Sequence, residues 1–230
     1  MAEAATRVPV LHEDEDLLVV SKPSGLLAVP TPGAEGRTLA EVLAAEGHPG
    51  LLPVHRLDRD VSGLVVLAKH EAARAALENL FRGRAVKKIY WALVRGRLRP
   101  ESGAFEEPIL DEGATARVDA HGKPALTRWR VLARQRASSV VEIELVTGRY
   151  NQIRLHFAHH DQALVGERKY ARGKDDPLRG KRVALHAWRL AFPHPLQGHR
   201  VEVEAPLPED LRALLAAAEA YSPATRGELR

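Results

Sequence analysis

Short apolar runs punctuated by turn residues dominate the chain. Leu17-Leu18-Val19-Val20-Ser21 reads as a buried strand, closed by the turn Lys22-Pro23-Ser24-Gly25. Thr38 and Glu41 form a capping box for a short helix through Glu46, stopped by Gly47. Leu52 to His55 and Gly63 to Ala68 read as two strands joined by the polar stretch Arg56 to Ser62. Glu71 to Phe81 has helical spacing and stops at Gly83, and Ile89 to Val94 is strand again. In the second half, Leu126 to Ala133 and Val140 to Val146 pair through the turn Arg134 to Ser139; Val141, Ile143 and Leu145 alternate with Glu142 and Glu144. Tyr150 to His160 has the length of one helix. Leu185 to Phe192 and His199 to Glu204 are strands, and Pro208 to Tyr221 is a closing helix with proline near its first turn. Locally paired strands interrupted by a few helices predict an α+β fold, with a largely antiparallel sheet. The 230 residues suffice for a single domain, 1–230, or for two subdomains meeting at the Gly-, Pro- and Arg-rich stretch 95–123.

Composition narrows the classes without choosing one. A hydrophobic fraction of 45% and a charged fraction of 28% are those of an ordinary globular protein. A net charge of +4 and a pI near 9.5 are shared by many enzymes that never meet nucleic acid. The absence of cysteine excludes disulfides, thiolate nucleophiles and Cys-type zinc sites. The acidic N-terminus is not a secretory signal, and no run reaches the roughly 18 apolar residues of a membrane span. The expectation is a cytoplasmic monomer with no membrane partner.

The densest polar constellation is His55-Arg56-Leu57-Asp58-Arg59-Asp60-Val61-Ser62-Gly63, on a connection between two buried strands, where catalytic groups are often displayed. The same residues also suit an ordinary turn, because Asp and Ser bond their own backbone. Asp58 and Asp60 make a poor glycosidase pair, since neighbours on one loop rarely stand about 5 to 9.5 Å apart across a sugar. His156, His159 and His160 have helical metal-ligand spacing but lack the glutamate of the zinc-protease motif. Gly33 to Gly36 is no phosphate-binding loop, and no glycine-rich strand-to-helix turn suggests a dinucleotide.

Five segments, taken in order, resemble one family. They are Lys22-Pro23-Ser24-Gly25; His55-Arg56-Leu57-Asp58 with Ser62-Gly63; Lys88-Ile89-Tyr90-Trp91-Ala92-Leu93-Val94-Arg95-Gly96; Thr147-Gly148-Arg149 with Gln152-Ile153-Arg154 and His156; and Leu185-His186-Ala187 with Phe192-Pro193-His194-Pro195. Together they resemble the RluA-type RNA pseudouridine synthases over nearly the whole chain. The chain departs from that pattern at Val61 (often Thr), at Asn151 (commonly His) and at Gly166-Glu167 (usually Gly-Asp).

The resemblance implies the pseudouridine synthase fold, a mixed, mainly antiparallel sheet flanked by helices and loops around a central catalytic cleft. It implies the catalytic domain alone, without the S4-like N-terminal domain of some relatives. The activity implied is isomerisation of specific uridines to pseudouridine in structured ribosomal or transfer RNA, with the target base flipped out of its stack. The glycosidic bond moves from N1 to C5 without redox change or net hydrolysis, so no metal, nucleotide or other cofactor is expected. By the same resemblance Asp58 is the catalytic carboxylate, acting as nucleophile or base. Tyr90 is the ring that stacks on the base, worth about 1–3 kcal/mol. Arg154 is the counter-charge that keeps Asp58 ionised, an attraction of roughly 4 kcal/mol at about 4 Å before desolvation. His55, Arg56, Lys88 and Arg149 are expected to contact substrate. Lys87, Arg82, Arg84, Arg168, Lys169, Arg172 and Lys174 are further candidates for the RNA backbone, although charge runs are usually solvated faces. The rival readings are a metal-dependent hydrolase built on His156, His159 and His160, and a non-catalytic RNA-binding or ribosome-assembly factor.

Overall fold

The computed structural model describes residues 7–113, 115–171 and 176–221. In chain order the elements are β1 Val10–Glu13, β2 Leu17–Lys22, α1 Leu39–Ala45, β3 Leu52–Pro53, β4 Ser62–Ala68, α2 Glu71–Arg82, β5 Lys87–Arg95, β6 Ser102–Phe105, β7 Ile109–Asp111, β8 Ala116–Val118, β9 Thr127–Arg134, β10 Ser138–Leu145, α3 Gln152–His159, β11 Leu185–Pro193, β12 Arg200–Glu204 and α4 Glu209–Ala220. The predicted α+β class holds. The chain divides into two compact units, 1–88 with 186–206 and 89–185 with 207–230. The stretch 95–123, read from sequence as a seam, holds β6, β7 and β8 and lies wholly in the second unit.

In the first unit the strands run β1-β2-β4-β11, with β12 beside β11 and β3 beside β4. Every residue of β4 is buried, which explains its unbroken apolar sequence. β2 flanks it antiparallel, with Val20 opposite Val65, while β11 runs parallel to it, with His186 opposite Ser62 and Ala187 opposite Gly63. A Cβ at Gly63 would lie 2.3 Å from the Ala187 carbonyl oxygen, and its φ is +115°, so only glycine fits there. The helix ends follow the sequence: Thr38 and Glu41 cap α1 reciprocally, and α2 ends at Gly83.

The second unit is built on β5-β10-β9-β6 with a separate β7-β8 hairpin. β10 pairs antiparallel with both β5 and β9, and its buried Val141 and Ile143 alternate with the partly exposed Glu142 and Glu144. β6, β7 and β8 had no signal in the hydrophobic pattern. They are three or four residues long, too short to show a periodic apolar face.

Candidate active site

In the first unit, Asp58 stands on the connection between β3 and β4, and that connection is tied down through its backbone. Lys22 is fully buried, and its ammonium donates to the carbonyls of Pro23 (2.9 Å), Leu26 (2.8 Å) and Arg59 (3.1 Å). The Gly25 amide donates to the Arg59 carbonyl at 2.8 Å, and Arg59 Nε returns a bond to the Gly25 carbonyl at 2.9 Å. Ser24 Oγ donates to the Asp60 carbonyl at 3.0 Å. The Lys22-Pro23-Ser24-Gly25 turn is therefore the base of the Asp58 loop. Its four bonds to Arg59 and Asp60 use main-chain groups or the Arg59 side chain and never the Asp58 carboxylate. Beyond the loop, Ser62 Oγ lies 2.9 Å from His186 Nδ1, and His186 Nε2 donates to the Ala205 carbonyl. The proton on Nε2 makes Nδ1 the acceptor, so the Ser62 hydroxyl donates to it.

His55, expected to contact substrate, is bonded into the scaffold. Its Nε2 accepts the Val66 amide at 2.9 Å and its ring stacks on Phe81 at 4.4 Å. Burial, and then the charge of Lys88, push its pKa down to about 3, so the ring is neutral. Lys88 is partly buried and titrates below an ordinary lysine because of that burial and the nearby charge of Arg84. Arg56, Arg84 and Lys87 are exposed, and Arg82 bonds Asn79.

In the second unit, Tyr90 is 8% exposed on β5, opposite Ile143 of β10. Arg154 projects from α3, and the segment before that helix explains the Thr-Gly-Arg and Gln-Ile-Arg spacing. Gln152 is buried; its Oε1 accepts the Thr147 hydroxyl (2.8 Å) and the Arg149 amide (3.0 Å), while Nε2 donates to the Leu126 carbonyl and to Thr127 Oγ1. Asn151 takes the left-handed conformation at φ +52°, which asparagine tolerates better than most residues. Its Nδ2 bonds the Tyr170 hydroxyl at 2.7 Å, and its Oδ1 accepts from Arg154 at 3.3 Å. Arg149 itself bonds the Pro124 carbonyl at the surface.

The partner of Arg154 that sequence reasoning missed is Glu167. The pair is bidentate, Nε to Oε2 at 2.6 Å and Nη2 to Oε1 at 3.0 Å, with the Glu167 side chain fully buried. Glu167 Oε1 also accepts the amides of Lys169 (2.7 Å) and Tyr170 (3.2 Å). Burial works to raise the Glu167 carboxyl, but the bond and charge of Arg154 and the two amides prevail and hold it below the usual glutamate value. Gly166 at φ +78° makes the approach feasible, because a Cβ there would sit 1.8 Å from the Arg182 carbonyl oxygen. The signal in the sequence is an acid next to a glycine at the end of the buried run Leu164-Val165.

The histidines of α3 do not form the metal site that their spacing suggested. His156 Nδ1 is bonded to Thr127 Oγ1 and its Nε2 donates to the Glu107 carbonyl, both at 2.9 Å, while His160 Nε2 is bonded to Glu107 Oε1. Among the described residues, one Asp/His group has ligating distances: Asp14, Asp16 and His194, within 4.8 Å of one another. His194 Nδ1 accepts the amides of Leu196 and Gln197, so the ring proton sits on Nε2, which faces the two carboxylates at 3.3 and 3.6 Å. A proton on that nitrogen leaves no lone pair for a cation. Arg172 and Lys174, proposed from sequence as RNA contacts, lie outside the described residues.

Comparisons with known proteins bear on the fold and the family. Residues 16–159 match the family model described as RNA pseudouridylate synthase. An uncharacterized RNA pseudouridine synthase of Bacillus subtilis, YlyB, is 37% identical over 90% of this chain and 71% of its own length. A ribosomal large subunit pseudouridine synthase D of Nitrosomonas europaea is 38% identical over 93% of this chain and 66% of its own length. The solved structure of human RNA pseudouridylate synthase domain containing 1 superposes with a TM-score of 0.78 at 27% identity, over 93% of this chain and 90% of that one. The fold, the ordered segments and these relatives together place the chain in the RNA pseudouridylate synthase family, whose members isomerise uridine to pseudouridine in RNA.

Proposed function

We propose that this enzyme modifies uridines of large-subunit ribosomal RNA, with Asp58 as its catalytic carboxylate. The substrate class rests on relatives such as the Nitrosomonas europaea synthase, named for the large ribosomal subunit. The observation that supports the role of Asp58 is the backbone tether of its loop: four hydrogen bonds through Arg59 and Asp60 hold the loop that bears it. A side chain presented on a rigid loop meets a reacting nucleoside without further ordering, which is how positioned groups lower a barrier.

In the reaction the C1′–N1 bond breaks, C1′ joins C5, the C5 proton leaves and N1 gains a proton. Asp58 acts as nucleophile or base at the nucleoside. Arg154, held by Glu167 and kept from wandering by Asn151, supplies positive charge without a mobile side chain. Tyr90 supplies a ring for the extruded base. Arg56, Lys88 and Arg149 contribute charge to RNA binding.

Tritium release from RNA labelled at uridine C5 tests the assignment. Asp58→Asn should abolish release while thermal unfolding and RNA affinity stay near those of the parent. Near-normal release would refute the role of Asp58. Mapping of pseudouridine in cells with and without the gene tests the RNA: loss confined to transfer RNA would refute the ribosomal target.

A further inference from the structure

The second unit contains a cavity of about 560 Å³ that none of the roles above uses. β8, the C-terminal half of α3 and the segment 161–171 line it. We infer that this cavity is an accessory ribonucleotide subsite, taking a nucleotide of the substrate RNA other than the uridine that reacts. The inference rests on the RNA-modifying activity and adds a second point of contact to it.

The size suits the ligand, since small-molecule cavities span roughly 300–1,000 Å³. Its walls combine the two surfaces a nucleotide needs. Leu155 and Ala158 of α3 give an apolar face, and Arg117, His159, Lys169 and Tyr170 add cations and a ring. The Lys169 ammonium stands 4.9 Å from the ring centre of Tyr150 and 5.3 Å from that of Tyr170, a position two phenol rings hold in place. Arg117 is oriented by Glu112 at 2.6 Å and Asp119 at 3.1 Å. Asp161 is the one acid among the described lining residues, so the cations of Arg117 and Lys169 suit an anionic phosphate.

The wall of this cavity is also bonded to the catalytic machinery. The amides of Lys169 and Tyr170 donate to Glu167, the same carboxylate that grips Arg154, and the Arg154 guanidinium lies 5.6 Å from the Tyr170 ring centre. A nucleotide packed on Lys169 and Tyr170 therefore braces the segment that orients Arg154. RNA bound away from the reacting uridine helps to set that arginine.

The test uses the full chain carrying Asp58→Asn, so that binding is read without turnover, and a transcript of large-subunit ribosomal RNA. Ala158→Trp fills the cavity and Lys169→Glu reverses its cation; each should raise Kd about tenfold, the scale of one lost base contact. Arg200→Glu, in the other unit, should change Kd less than threefold. In the Asp58 parent, Ala158→Trp should raise KM by a similar factor. Unchanged Kd in both cavity variants overturns the subsite. So does weakening by Lys169→Glu alone with Ala158→Trp folded and binding normally, which would mark a surface charge rather than a cavity. Because affinity is measured without turnover, its failure is separate from any failure of the Asp58 assignment.

Discussion

The Asp58 loop and the Arg154 helix carry the two charged groups assigned to the reaction, and they are immobilised by opposite means. In the first unit the side chain is placed by fixing the main chain around it: Lys22, Ser24, Gly25 and Arg59 bond carbonyls and amides. In the second unit the side chain is placed by direct ionic contact, with Glu167 bidentate on Arg154. A backbone tether sets the position of a whole loop. A guanidinium that serves as a fixed charge gains from being clamped, because a buried cation without a partner is costly.

Variants that cut one mode and spare the other separate the two. The largest effect belongs to Asp58→Asn, which should lower kcat about 10⁴-fold or more with the unfolding midpoint unchanged, as read by tritium release and circular dichroism. Glu167→Gln comes next: removing one partner of a buried ion pair should cost about 3–5 kcal/mol in urea unfolding. Glu167→Asp, which keeps the charge, should cost less; equal losses would show that shape rather than charge holds Arg154. Lys22→Met should cost about 1–3 kcal/mol, since its three carbonyl acceptors lose a donor. It should also lower kcat while leaving KM near normal, and an intact kcat would break the tether account.

The smallest effect is in pH. His55 titrates near 3 in the folded protein, against about 6.5 unfolded. Its contribution is complete above pH 6.5 and is lost as pH falls from there toward 3, because the unfolded chain takes up the proton first. The melting temperature should fall by a few degrees between pH 7.5 and 5.5. His55→Phe should flatten that slope, and a slope equal to the parent's would show that other groups cause it.

Much of the architecture was legible because its causes are local. The capping box at Thr38, the stop at Gly83 and the β9–β10 pairing each depend on residues a few positions apart, and each formed as read. β6, β7 and β8 were invisible for the complementary reason: strands of three or four residues are too short to show a periodic apolar face. The scaffold bond of His55 was not legible, because its nitrogen accepts an amide 11 residues away, at Val66, that no short motif encodes. The rival metal reading of His156, His159 and His160 rested on helical spacing, which fixes where side chains emerge but not what they meet. His156 meets Thr127 and Glu107.

By itself the amino-acid sequence determined the α+β class, the family and the segment bearing Asp58, because these are written in local periodicity and in the order of short motifs. Only the tertiary structure decided the partners: Glu167 for Arg154, Lys22 for the Arg59 carbonyl, and His186 for Ser62 across 124 residues. Charge pairing and hydrogen bonding depend on distance in space, and a hydrogen-bond distance set by the folded chain leaves no spacing in the sequence from which to read it.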